Sequence, residues 1–129
     1  MGQQQLLLII LGVIIVGIAI AVGITMFSSS SVQSNKDAII NDLNNLAANA
    51  YQFRVRPITM GGGSGSYTGG SAYAIPTKLV SDDNGTYSAS NAAQAVTFVG
   101  TSAQGYGTIT AVCDSSGRLT TFTYTGQFQ

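Results

Sequence analysis

The hydrophobic pattern changes character twice along the chain. Residues 6–27, opening at Leu6 and closing at Phe27, form an unbroken apolar run with no charge and no proline. The run is apolar on every side, so as a helix it is unsuited to the surface of a soluble domain. At 1.5 Å per residue it would be roughly 33 Å long, about the thickness of a bilayer's hydrocarbon core. Ser28, Ser29, Ser30 and Ser31 follow, and they are poor helix formers. Yet no glycine or proline interrupts residues 24–55, which predicts that the helix continues through them. Beyond the serines, Ile39, Leu43, Leu46, Ala50 and Phe53 recur at the three- and four-residue spacings of a helical apolar stripe. Ile40, Ala47 and Tyr51 widen it. Asn35, Lys36, Asp37, Asn41, Asp42, Asn44 and Asn45 fall mostly opposite and read as the wet face. The helix is expected to end near Arg56, because the residue before Pro57 is biased away from helical geometry.

Residues 60–72 read Met-Gly-Gly-Gly-Ser-Gly-Ser-Tyr-Thr-Gly-Gly-Ser-Ala, by composition a flexible loop. No Lys-Ser/Thr follows the glycines and no helix signal opens after them, so neither phosphate-binding fingerprint is met. The period then shortens to two. Residues 78–80 read as a short strand, and Asp82-Asp83-Asn84-Gly85 is a hairpin turn signal. Residues 86–90 and 93–100 are expected as strands, the second with Val96 and Phe98 on one face. Residues 108–114 alternate, with Ile109, Ala111 and Cys113 on one side. Residues 119–125 place Phe122 and Tyr124 on one face and Thr121 and Thr123 on the other. The expected fold class is α+β: a long amino-terminal helix, apolar then amphipathic, packed on a small antiparallel sheet. Its expected parts are a hydrophobic helix over residues 1–27, an amphipathic continuation over 28–56, a glycine-rich loop over 57–77 and a sheet head over 78–129.

Composition narrows the chemistry. The 129 residues hold five basic and five acidic side chains, no His and no Trp, and all five acids are aspartates. Nucleophilic catalysis most often needs a His base, and protein metal sites draw on His, Cys or clustered carboxylates. The chain is therefore expected not to be an enzyme and to carry no cofactor, metal or small-molecule substrate. Its few cations are scattered, which argues against nucleic acid as a partner. Cys113 is the single cysteine and sits in an alternating apolar run, as a buried thiol does. Asn84-Gly85-Thr86 also matches the N-glycosylation pattern, which makes Asn84 a candidate sugar site.

Small residues punctuate the apolar run at Gly12, Gly17, Ala19, Ala21 and Gly23. Gly17 and Ala21 are four apart, as are Ala19 and Gly23, the spacing that lets helix backbones approach closely. Each glycine lowers helix stability by roughly 1 kcal/mol relative to Ala. The run is longer than the roughly 7–15 apolar residues of a secretory signal, and residues 1–5 carry no Lys or Arg. It is expected to be retained in the mature protein.

The layout, a long helix followed by a glycine-rich loop and a small antiparallel sheet, resembles a type IV pilin along the whole chain. The sequence-specific part of the resemblance is residues 1–27, and the opening Met-Gly-Gln-Gln-Gln-Leu-Leu-Leu is similar to that of pilin-like proteins. The resemblance implies a structural subunit of an extracellular pilus-like filament, held in the inner membrane before an assembly machinery stacks its helix against copies of itself. It also implies polymerisation through Met1, Gln5, Leu6, Gly12, Gly17, Ala19, Ala21, Gly23 and Phe27. The family usually has a Glu at the fifth mature position, where Gln5 stands here. A neutral amide hydrogen-bonds an amine but does not offset its charge. The kinking proline and stapling disulfide of many members are also absent. Two other readings stay open: a minor pilin-like component of a secretion system, and a monomeric membrane-anchored binding module.

Overall fold

The computed structural model describes residues 2–129, so Met1 lies outside the described residues. The chain divides into two compact units, Met1–Gln33 and Ser34–Gln129. One helix, α1 (Gly2–Val55), contributes to both. The serines do not break it, as expected from the absence of glycine and proline around them.

The second unit, hereafter the head, is built from the carboxyl-terminal part of α1 and four strands: β1 (Gly85–Asn91), β2 (Val96–Ser102), β3 (Thr108–Cys113) and β4 (Leu119–Tyr124). They form one antiparallel sheet in the order β1-β2-β3-β4. Every connection is short, so each strand pairs with the one before it. The alternation of β2 and β3 turns Val96, Phe98, Ile109, Ala111 and Cys113 fully inward. Ile39, Leu43, Leu46, Ala47 and Ala50 of α1 are equally buried, so the helical stripe and the sheet's apolar face make one core. Helix and sheet approach closely at Gly100, where a Cβ would stand 2.7 Å from Ile39 Cγ2 and 3.2 Å from the Tyr87 ring.

The structure departs from the sequence pattern in four places. Residues 78–80 are a turn, not a strand; only the single bridge Ser81↔Thr86 remains of the expected hairpin. β2 starts at Val96 instead of residue 93, because Ala92 N–H donates to Ala95 O and turns the chain first. Asn35 is buried, and Asp42 is half-buried, although both read as wet-face residues. The fourth departure is the glycine-rich segment. It packs Tyr67 (0% exposed) and Tyr73 (4%) into the core, where composition alone reads as a flexible loop.

That segment also closes the end of α1. The last carbonyls of a helix have no intrahelical donor. Here Gly63 N–H donates to Phe53 O (2.8 Å), Gly65 N–H to Arg54 O (2.6 Å) and Ser64 N–H to Arg56 O (2.9 Å). The chain folds back this tightly because Gly63 has no side chain; a Cβ there would collide with Ser66 O. Tyr67 then reaches across the core, its hydroxyl donating to Asp114 O at 2.5 Å.

At the sheet's other edge, the β3–β4 register shifts between Thr110 and Val112, and Thr121 takes φ 50°. Phe122 and Tyr124 do stack, 6.3 Å apart and nearly parallel, but at the rim of the core. Phe122 stays 38% exposed, and Lys36 Nζ lies 4.1 Å from the centre of the Tyr124 ring.

Gly100→Ala should therefore lower head stability by about 1–3 kcal/mol, the usual range for forcing extra carbon into a packed core. Thermal unfolding of the full chain in detergent micelles, followed by near-ultraviolet circular dichroism, measures this. An unchanged midpoint would mean that helix and sheet have room to separate.

Candidate interaction surface and the polar cluster of the head

The amino-terminal unit presents one kind of surface. From Leu6 to Phe27, sixteen large apolar side chains are each 52–75% exposed. Among the described residues, no part of the chain covers them. The helix is long and apolar enough to cross a membrane. Ile9, Gly12, Val13, Val16, Gly17 and Ile20 line a shallow apolar groove along it. A Cβ added at Gly12, Gly17 or Gly23 would meet nothing within 4 Å. Packing within the single chain thus gives no reason for glycine at these positions. Ala19 and Ala21 are exposed on the same helix, as is Gln5 one turn from its start. Of the residues assigned to polymerisation by resemblance, Met1 alone lies outside the described residues.

The head brings two carboxylates together, half-buried Asp42 and exposed Asp82. Asp42 on α1 faces Asp82, Asn84 and Tyr87 at the start of the sheet. Tyr87 Oη donates to Asp42 Oδ2 at 2.5 Å and lies 3.5 Å from Asp82 Oδ1. Asn84 Nδ2 donates to Asp42 Oδ2 at 3.0 Å. Asp82 Oδ1 accepts the backbone N–H groups of Asn84 (2.9 Å) and Gly85 (3.0 Å), an Asx turn that aims the chain into β1. Nearby, buried Asn35 accepts from Ser102 Oγ (2.6 Å) and donates to Asn84 O (3.1 Å). The polar stripe of α1 is therefore a second seam to the sheet, parallel to the apolar one.

The two aspartates titrate as a pair. Burial raises the Asp42 carboxyl, but hydrogen bonds from Asp82, Tyr87 and Asn84 outweigh it and hold the group below the ordinary value. Burial and the hydrogen bond to Asp42 raise Asp82 above it. The pair thus keeps one proton over an interval in the acid range. Burial, reinforced by Asp42, also keeps the Tyr87 hydroxyl protonated far above its usual range. Burial likewise raises the Cys113 thiol, whose Sγ lies 3.4 Å from Tyr67 Oη, so this free cysteine is an unreactive core residue.

The cavity beside the pair, lined by Asp42, Asn45, Leu46, Lys78, Leu79, Asp82 and Tyr87, measures about 80 Å³, against ~300–1,000 Å³ for a typical ligand pocket. The described residues contain no group of three potential metal ligands. The glycine-rich loop uses its N–H groups on the helix end, leaving no phosphate cradle at Gly63, Ser64 and Gly65. Asn84, the candidate sugar acceptor, is half-buried with its amide nitrogen engaged by Asp42. Nothing in the sequence marks Asn35 or Asp42 as more than polar positions on a helix; only the packed sheet reveals them.

A pH prediction follows from the pair. Well below pH 3.8, folded and unfolded chains both hold two protons here, and stability is flat. Between Asp42's lowered value and 3.8 the unfolded chain holds more protons, so stability rises with pH. From 3.8 up to Asp82's raised value the folded chain holds more, so stability falls. The pair's contribution therefore peaks near 3.8, and Asp82→Asn should remove the falling limb while keeping the rising one. Urea midpoints of both chains across the acid range test this. Parallel profiles would mean that Asp82 titrates alike in the folded and unfolded chains.

Comparison with protein-family models, with curated proteins and with solved structures finds no match to this chain.

Proposed function

We propose that this protein is a structural subunit of an extracellular type IV pilus-like filament, polymerising through its amino-terminal apolar helix. One observation carries the reading: a helical unit with sixteen exposed large apolar side chains, joined through a single unbroken helix to a folded polar head. Burying one such side chain is worth about 1.5–3 kcal/mol relative to water. Copies of the helix stacked together satisfy that demand and leave the heads in water. Gly12, Gly17 and Gly23, which the single chain does not require, are where neighbouring helices would approach most closely. Before assembly the same helix would sit in the inner membrane. Lipid tails are as apolar as Leu, so transfer from membrane to filament gains little by burial and calls for an assembly machinery. The role is structural, with no catalytic residues assigned.

A membrane-anchored module that never polymerises is the second reading, favoured by the length and composition of the same helix. Negative-stain electron microscopy of material sheared from cells, paired with mass spectrometry of the amino terminus, separates the two. Filaments composed of this chain are the expected result. Protein confined to the membrane fraction, with no fibres, would leave the anchored module or a minor pilin-like component in its place.

Gly17→Leu sharpens the test. Open space surrounds Gly17 in the single chain, so the head should unfold at the wild-type midpoint. Filament yield, measured by sedimentation of sheared material, should fall by about tenfold or more if backbones meet at this position, since 1.4 kcal/mol of lost packing already gives that factor. Wild-type yield would remove Gly17 from the helix contact.

A further inference from the structure

The Asn84-Gly85 pair is not used by the filament reading, and its surroundings are unusual for a turn. Asn-Gly is the dipeptide most open to deamidation, because glycine leaves its backbone nitrogen free to attack the preceding side chain. The Gly85 nitrogen gives up its proton to solvent base and bonds to Asn84 Cγ. The Cγ–Nδ2 bond breaks and that nitrogen leaves as ammonia. Water then opens the succinimide ring to aspartate or isoaspartate. No oxidant or other co-reactant is needed.

In the folded head both reacting groups are held. Gly85 N–H is donated to Asp82 Oδ1 at 3.0 Å, and Gly85 pairs with Ser102 across β1 and β2. Asn84 Nδ2 is donated to Asp42 Oδ2 at 3.0 Å. The Asn84 carbonyl accepts from Asn35 Nδ2 (3.1 Å) and Ala103 N (3.0 Å), which fixes the peptide that must rotate. The product fares differently. It replaces a donor to Asp42 with a carboxylate, beside a second aspartate already in contact with the same tyrosine. Like charges at this distance repel, and an isoaspartate at position 84 would also add a backbone atom immediately before the first residue of β1.

We propose that Asn84-Gly85 is a fold-gated deamidation site, closed while Asp42 and Asp82 hold it and unable to rebuild the native cluster once it has reacted. Deamidation then proceeds only through local opening of the start of β1, at a rate set by the open population. The site records how long a subunit has been open, and each event makes further opening easier.

Peptide mapping by mass spectrometry tests the gate. The full chain is incubated in detergent micelles at mildly alkaline pH, with and without concentrated urea. Deamidation at Asn84 should be at least about tenfold slower in the folded chain, the factor that a one-in-ten opening imposes. Equal rates would overturn the gate. Asp82→Ala removes the acceptor for Gly85 N–H and should speed the reaction in a head that near-ultraviolet circular dichroism reports as folded. A folded Asp82→Ala chain reacting at the wild-type rate would overturn Asp82's part. If that variant does not fold, the comparison with and without urea still decides. Asn84→Asp mimics one product and should lower the unfolding midpoint, and adding Asp42→Asn should restore much of the loss by returning the cluster to two carboxylates and one amide. An Asn84→Asp head as stable as wild type would overturn the consequence.

Discussion

The structure depends on an imbalance of apolar surface. Residues 6–27 carry sixteen large apolar side chains that no described residue covers, and this surface stays open along that run. Residues 34–129, by contrast, close a complete core of their own. The head leaves only scattered apolar side chains exposed, such as Ile58, Met60 and Phe122. The amino-terminal unit leaves its large apolar side chains uncovered, a surface that the proposed filament would bury. Each functional reading proposed above starts from that asymmetry, and in the proposed filament low charge would help, because packed copies carrying few like charges repel one another weakly.

Within the head two seams join helix to sheet, and they do different things. The apolar seam of Ile39, Leu43, Leu46, Ala47 and Ala50 supplies burial without direction. The polar seam of Asn35 and Asp42 supplies direction, because hydrogen bonds to Ser102, Asn84 and Tyr87 form in only one register of helix on sheet. Such groups are costly when half-satisfied, so a slipped register would strand them. The seam fixes which way the sheet lies on the helix.

The coarse α+β layout was legible in the sequence because period and length are strong signals. Ile39, Leu43, Leu46, Ala47 and Ala50 of the helical stripe, the alternation of Val96 with Phe98 and that of Ile109, Ala111 and Cys113 each point to the buried face that the structure has, whereas Tyr51, expected to widen the stripe, is 37% exposed. What the sequence hid is of another kind. Asn35 and Asp42 lie on a polar stripe, and nothing local distinguishes a solvated amide from one facing a sheet. Tyr67 and Tyr73 sit among glycines and serines, so composition masks their place in the core. Residues 78–80 have strand-like residues but no partner for a ladder, and a strand needs one. Phe128 is buried against Tyr106 at the very end of the chain, beyond any periodic segment. For the candidate interaction surface, the apolar run was plain from residue types alone.

The cap on the end of α1 has a mechanical side. A pull along this helix loads the two seams first and, behind them, the cap, where the carbonyls of Phe53, Arg54 and Arg56 are each tied to a different residue of one short loop. That loop is anchored through Tyr67 to the carbonyl of Asp114, just past β3. Three bonds in the cap would share the strain and would have to yield together, whereas a frayed end opens one bond at a time. The glycines that look like slack in the sequence make the knot at which the helix is fastened.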